Sequence, residues 1–196
     1  MDTVADETLF SRAGRLADRH AMFWIRNLHA PIRDVWSTVS TKEGLGRWWI
    51  VPPEHFELRV GGEFRHHWNN TIADFREGAF IDFAEPTGTY RGTGGMRFEL
   101  TSSGSDSTLF TFLDTWGPRV QPPTGAERQP GGPGTPWAGV AAGWHQMVDG
   151  IDGIFDRAAP HPTYDELRRF YSTYLEDLYR LHDMVQRIDG GTAPAG

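Results

Sequence analysis

Residues 137–155 read WAGVAAGWHQMVDGIDGIF, and this stretch decides the fold. Its apolar residues recur at helical spacing, which predicts a long amphipathic helix that ends near residue 157. The stretch contains four glycines, although each glycine costs about 1 kcal/mol relative to alanine in a helix interior. A rotation of about 100° per residue sorts its side chains into an apolar stripe, an acidic flank and a glycine face.

The apolar stripe and the acidic flank predict different surroundings. Trp144 and Val148 belong to the stripe, which should face a sheet. His145, Asp149 and Asp152 share the flank, where His145 and Asp149 are i, i+4 neighbours that can pair. Two interpretations stay open: a solvated acidic flank, or a His145 that reaches the mouth of a pocket.

The chain before this helix predicts one strand, two short helices and then an antiparallel meander. The first strand, HAMFWIRNLHA, stops at Pro31, and Thr41 is placed to cap the second short helix. Period-two alternation on both sides of Gly61-Gly62 predicts a hairpin. The expected elements are strand 20–30, helices 31–40 and 41–49, a hairpin over 55–70, and strands 78–84, 88–92, 95–101 and 107–116.

The two ends of the chain and one internal segment stand outside this pattern. Residues 117–136 hold six prolines and five glycines, which predicts a long loop. Residues 163–188 keep a strict 3-4 apolar spacing behind a capping box, which predicts an added C-terminal helix. The expected units are an extension at 1–19, a domain at 20–158, that helix, and a disordered tail at 189–196.

Composition excludes several classes of function. The formal net charge is −7 and the chain has no cysteine. Without basic clusters we expect no nucleic-acid partner, and without a long apolar run we expect no membrane partner. We expect a soluble cytoplasmic protein without metal or cofactor. A metal site is not expected, because His66 and His67 alternate across a strand and cannot chelate one ion.

Strand parity predicts which side chains face inward. If Phe56, Phe64 and Trp68 face the core, so does His66. Two further strands bring Phe98, Phe110, Phe112, Asp114 and Trp116 to the same face, whereas the parity of strand 78–84 leaves Asp82 ambiguous. His66 and Asp114 are then polar groups on apolar faces, which makes them candidates for acid/base catalysis, ligand contact or satisfied packing.

The order of these elements resembles the START-like (SRPBCC) superfamily, and within it bacterial homologues of the activator of heat-shock-protein ATPase. The likeness spans about 20–156. It is carried by APIRDVWSTVSTKEGLGRWW (30–49), FELRVGGEFRHHW (56–68), GAFIDFAEP (78–86) and AAGWHQMVDGI (141–151). The resemblance implies an α+β helix-grip fold, in which a curved antiparallel sheet wraps around the long helix and leaves an apolar cavity.

That resemblance implies binding of a small hydrophobic ligand, aromatic or polycyclic, in the cavity. The alternatives are a cyclase, aromatase or dehydratase of a polyketide-like pathway, with His66, Asp114 or His145 moving protons, and an interaction or co-chaperone-like protein that works through its C-terminal helix. The residues expected to contact the ligand are Trp48, Trp49, Phe56, Phe64, Trp68, Phe80, Phe98, Phe110, Phe112, Trp116, Trp144 and Val148.

The glycine face predicts a packing partner for the long helix. Gly139, Gly143, Gly150 and Gly153 lie opposite the apolar stripe, and a smooth face permits close backbone approach. We expect the helix at 163–188 to lie across it, either from the same chain or from the mate in a homodimer.

Overall fold

The computed structural model describes residues 3–18, 21–66, 69–85, 94–115, 138–156 and 161–190. The predicted strand at 88–92, the loop at 117–136 and residues 191–196 of the expected tail lie outside these ranges. The helices are α1 (Thr3–Arg12), α2 (Ile32–Val39), α3 (Lys42–Leu45), α4 (Ala138–Phe155) and α5 (Tyr164–Gly190). The strands are β1 (Arg15–Asp18), β2 (Ala21–Leu28), β3 (His55–Phe56), β4 (Glu63–Arg65), β5 (Asn69–Arg76), β6 (Phe80–Ala84), β7 (Gly95–Gly104) and β8 (Ser107–Thr115).

The described strands form one antiparallel sheet in the order β1-β2-β8-β7-β6-β5-β4-β3. Its register aligns inward side chains from strand to strand, since Trp24 pairs with Phe112, Phe112 with Phe98, and Phe98 with Ile81. These four side chains are 0–1% exposed. α4 packs against this inner face, which confirms the predicted α+β helix-grip fold.

Local sequence signals explain where several helices begin. The Oγ1 atom of Thr41 accepts a hydrogen bond of 3.0 Å from the backbone N–H of Gly44, as the predicted cap requires. At the start of α5, the carboxylate of Glu166 accepts hydrogen bonds from the backbone and hydroxyl of Thr163 at 2.8 and 2.7 Å. This confirms the predicted capping box.

The structure also differs from the predicted elements. The sequence pattern does not predict strand β5, because NNTIADFR has few strand-forming residues and its first two residues belong to the predicted hairpin over 55–70. The hairpin arms are shorter than predicted. Val60 shares strand parity with Phe56 but is 62% exposed, because the chain leaves strand β3 at Phe56 and bends before Gly61, which has φ of +75°.

The N-terminal segment 3–18 and α5 are both integrated into the fold. β1, within the expected extension at 1–19, pairs antiparallel with β2 as an edge strand of the sheet. α5 packs on α4 and buries Leu167, Tyr171 and Leu175 completely. The N-terminal segment and α5 therefore both close the core at the β2 side of the sheet.

Candidate functional site

Aromatic side chains from five parts of the chain meet on the inner face of the sheet. Phe98 of β7 lies 5.8 Å from Phe112 of β8, measured between ring centroids. Trp49, which follows α3, lies 5.1 Å from the ring of Phe64. Trp144 of α4 covers Phe112 at 5.0 Å. Seven of the residues predicted to contact a ligand are inward and at most 5% exposed: Trp48, Trp49, Phe64, Phe98, Phe110, Phe112 and Trp144.

The remaining residues of that predicted set are placed differently. Val148 is fully buried on α4, and Phe56 is half-buried with its ring 5.5 Å from Phe64. Phe80 was expected in the cavity, but it lies on the outer face of the sheet, where the guanidinium of Arg97 sits 4.1 Å above its ring. The alternation of β6 turns Ile81 inward and Phe80 outward. Trp68 and Trp116 lie outside the described residues.

Asp82 also points to the outer face of the sheet. Its carboxylate accepts a hydrogen bond of 2.8 Å from Arg97. Asp82 therefore belongs to a half-exposed ion pair on the outer surface and not to the inner face.

His66 and Asp114 both lie on the inner face, as strand parity predicted. His66 is 7% exposed, and its ring lies 4.5 Å from Phe64 and 5.1 Å from Trp49. Asp114 is 0% exposed, although it lies one residue before the end of β8. Its Oδ2 atom accepts a hydrogen bond of 2.8 Å from Nε1 of Trp144, which joins β8 to α4.

Sequence reasoning missed two further polar side chains on this face, Asn70 and Glu85. Asn70 pairs with Phe64 across β4 and β5 and is 2% exposed. Glu85 is 9% exposed and directly follows Ala84, whose register partner is Thr71. The alternation of Asn70 with buried Ile72 could have revealed the first, had β5 been recognised as a strand.

His145 lies in a buried ionic cluster between α4, α5 and β2. His145 is 0% exposed and Asp149 1% exposed, so the predicted solvated flank is wrong. Nε2 of His145 lies 3.2 Å from Oδ2 of Asp149. Nη2 atoms of Arg26 and Arg12 donate to Oδ1 of Asp149 at 2.8 and 2.6 Å, and Arg12 also bonds Asp152 at 2.6 Å.

Tyr171 completes this cluster from α5. Its hydroxyl oxygen accepts hydrogen bonds from the Gly14 backbone N–H at 2.7 Å and from Nε1 of Trp24 at 3.0 Å. Nδ1 of His145 lies 2.9 Å from the same oxygen. Because a phenol has one proton and two lone pairs, that proton is directed at Nδ1. His145 is then neutral, with its own proton on Nε2, facing Asp149.

The electrostatics agree with this proton arrangement. Burial lowers the pKa of His145, and the charges of Arg26 and Arg12 act in the same direction. Burial opposes the ionised form of Asp149, but its contact with His145 and the two arginine charges outweigh that effect and lower its pKa to about 2. Burial raises the pKa of Tyr171 well above its ordinary value, so the phenol stays protonated.

The predicted packing of the C-terminal helix across the glycine face of α4 is only partly observed. α5 packs beside His145, where Tyr171 has polar partners, and not across all four glycines. A Cβ on Gly143 would meet no atom within 4 Å, whereas one on Gly150 would lie 3.2 Å from the backbone oxygen of Trp48. A Cβ on Gly139 would lie 3.1 Å from the hydroxyl of Tyr164 at the start of α5, and one on Gly153 would clash with the ring of His161.

Three cluster residues were missed from the sequence: Arg12, Arg26 and Tyr171. Arg26 shares strand parity with Met22, Trp24 and Leu28, so its position on the buried face could have been predicted from the sequence. Arg12 lies in a helix that the sequence pattern did not reveal. In chemical terms the cluster is charge-balanced, with two guanidinium groups against two carboxylates, and its contacts join α1, β2, α4 and α5.

Two further observations concern the described residues alone. Their histidine, aspartate and glutamate side chains form no group of three placed to hold a metal ion. None of their helices combines the length and the apolar character needed to cross a membrane.

Solved structures with the same fold support the architecture. A conserved protein of unknown function from Enterococcus faecalis, EF2215, matches with a TM-score of 0.64 and 16% identity, over 88% of this chain and 95% of that one. CalU16 from Micromonospora echinospora matches with a TM-score of 0.61 and 17% identity, over 81% of this chain and 87% of that one. DynU16, a protein of the dynemicin biosynthetic locus, matches with a TM-score of 0.53 and 16% identity, over 74% and 50%.

No curated protein is detectably similar in sequence. The sequence pattern of the family described as "Activator of Hsp90 ATPase homolog 1-like protein" does match, over residues 29–156, which include the two short helices, most of the sheet and all of α4. The chain therefore belongs to the Activator of Hsp90 ATPase homolog 1-like family, with the START-like fold that its sequence resembles.

Proposed function

We propose that this protein binds a small aromatic molecule between the inner face of the sheet and α4. One observation carries the proposal: rings from five separate segments converge on a single face that also holds the buried polar side chains His66 and Asp114. Aromatic surface with a few polar groups is the usual lining of a site for small molecules.

The segment that carries Trp48 and Trp49 is suited to admitting a ligand. Residues 46–54 form neither helix nor strand, and Ile50 and Val51 are 57% and 42% exposed. A shift of this segment would separate the two indoles from Phe64 and Phe98 without breaking the sheet. DynU16, which shares the fold, comes from a biosynthetic locus, and this agrees with a small-molecule role.

A fluorescence titration with a matched pair of variants tests the proposal. A panel of polycyclic aromatic compounds should quench the tryptophan emission of the wild-type protein in a saturable way. Phe64→Leu removes an inner-face ring and should weaken binding by about five- to tenfold. Phe80→Leu removes an outer-face ring and should leave affinity within about twofold. Equal effects of the two variants, or no saturable quenching, would refute the site.

The buried imidazole of His66 supports catalysis as a second candidate function. An imidazole held between Phe64 and Trp49 can take a proton from a ligand in a water-poor site. In dehydration of an aromatic β-hydroxy ketone, His66 would remove the proton next to the carbonyl and then donate it to the hydroxyl oxygen as the carbon–oxygen bond breaks, so that water leaves and the imidazole is neutral again.

Absorbance measurements with 4-hydroxy-4-phenylbutan-2-one test this second candidate. The conjugated enone should accumulate with the wild-type protein, and His66→Asn should lower the rate by about 10²-fold or more. His55→Asn, which changes a half-exposed histidine, is the control. Product formation no faster than in buffer would leave binding without turnover of this substrate.

A further inference from the structure

The amide of Asn70 stands out among the inner-face polar groups. The residue is 2% exposed, yet neither its Oδ1 nor its Nδ2 atom has a hydrogen-bond partner among the residues that the structure describes. A buried amide without partners destabilises the folded protein, because its contacts with water are lost and nothing replaces them.

The register of the sheet places this amide against the aromatic face. Asn70 pairs with Phe64, whose ring contacts Trp49 and Phe83 at 5.1 Å each. Ile72, two residues along β5, is 1% exposed and points in the same direction. The Asn70 side chain therefore lies on the same face as the aromatic rings and not on the outer surface.

We infer that Asn70 anchors the polar end of the ligand, and that this end is an uncharged hydroxyl group on an aromatic ring. The inference rests on the proposed function and specifies its ligand class. A hydroxyl donates one hydrogen bond and accepts others, so it satisfies the amide oxygen and the amide nitrogen of Asn70 together.

Charge distinguishes a hydroxyl from a carboxylate. The carboxyl groups of Glu85 and Asp114 are buried on the same inner face, and the chain carries a formal net charge of −7. Among the described residues, no lysine or arginine side chain lies on the inner face beside Asn70. The charge of an anionic ligand would therefore have no counter-charge there. A neutral hydroxyl meets no such repulsion.

Three naphthalene probes with the full-length protein test the inference. In titrations followed by tryptophan fluorescence, 2-naphthol should bind about five- to tenfold more tightly than 2-methylnaphthalene. 2-Naphthoate should bind most weakly. Asn70→Leu should level the first two probes, whereas Asn69→Leu, an exposed neighbour on the other face, should keep their difference.

The melting temperature of the ligand-free variants supplies an independent readout. Removing an unpaired buried amide should raise the melting temperature of Asn70→Leu by roughly 2–6 °C. If leucine does not fit and the variant fails to fold, Asn70→Val offers a smaller apolar side chain for the same comparison. A lower melting temperature in both folded variants would show a structural role for Asn70 and overturn the inference.

The outcomes separate this inference from the function on which it rests. If the wild-type protein binds all three probes equally, or if Asn70→Leu keeps the preference for 2-naphthol, the anchor is refuted and ligand binding stands. If no probe binds the wild-type protein, the proposed function fails, and the anchor fails with it.

Discussion

The Tyr171 hydroxyl lies 2.9 Å from Nδ1 of His145, and this contact joins α5 to the helix at the centre of the family's fold. The same oxygen bonds the Gly14 backbone and the Trp24 indole, so one phenol ties the N-terminal segment, the sheet and α5 together. α5 is therefore part of the core.

Removing the Tyr171 hydroxyl should lower stability substantially. Tyr171→Phe leaves the buried Gly14 N–H, Trp24 indole N–H and His145 Nδ1 without this partner, and we expect a loss of about 3 kcal/mol. That corresponds to a fall in melting temperature of roughly 6–12 °C for a chain of this size. Tyr174→Phe, whose ring is half-buried beside Phe170, should change stability by less than about 0.5 kcal/mol. Similar losses in both variants would contradict the role of the Tyr171 hydroxyl.

The charge balance of the cluster depends on Asp149. Asp149→Asn leaves the buried guanidinium of Arg26 without its closest counter-charge, and we expect a loss of about 3–5 kcal/mol in urea unfolding. Asp82→Asn breaks the partly exposed pair with Arg97 and should cost less than about 1 kcal/mol. Equal losses in the free energy of unfolding for the two variants would contradict a larger contribution from the buried ion pair.

Acid should destabilise the protein through two groups. The unfolded chain protonates His145 near its ordinary pKa of 6.5, whereas burial keeps the folded form neutral, so stability falls as the pH drops below about 6.5. Asp149, with a pKa of about 2 against an ordinary 3.8, adds stability that is lost as the pH falls from about 5 towards 2.

His145→Gln separates these two contributions. The variant cannot be protonated at this position, so its melting temperature should change less than that of the wild type between pH 7 and pH 5. The decline below pH 4, which comes from Asp149 and other carboxylates, should remain. A wild-type slope between pH 7 and pH 5 that His145→Gln leaves intact would assign it to another group.

The distal part of α5 carries an exposed apolar stripe. Leu181, Met184 and Val185 are 52%, 46% and 43% exposed at i, i+3 and i+4. A homodimer through 163–188, one of the two arrangements that the sequence allows, would bury this stripe. Light scattering after size exclusion should then report a dimer that dissociates in the double variant Leu181→Lys, Val185→Lys. A monomeric wild-type protein at high micromolar concentration would refute the dimer.

The sequence predicted the fold better than the site, for a physical reason. Period-two and 3.6-residue patterns report which face of an element is apolar, and they placed Phe98, Phe112, Asp114 and Trp144 correctly. They could not show that Arg12 and Tyr171, far apart in the chain, meet in the cluster around Asp149 and His145, because polar contacts between distant segments leave no periodic signal. Phe80 shows a second limit of sequence-based prediction. An aromatic ring is expected in the core, but this one lies on the outer face, where Arg76 and Arg97 pack over it.

The measurement that tests the ligand site most directly is a titration of the ¹⁵N-labelled protein with 2-naphthol, followed through the indole N–H signals in NMR spectra. Trp→Phe variants assign the signals of Trp49, Trp144 and Trp36. We expect saturable shifts for Trp49 and for Trp144, whose indole donates a hydrogen bond to Asp114, and none for Trp36 on α2. Shifts confined to Trp36, or no shift at any indole, would contradict a ligand site between the sheet and α4.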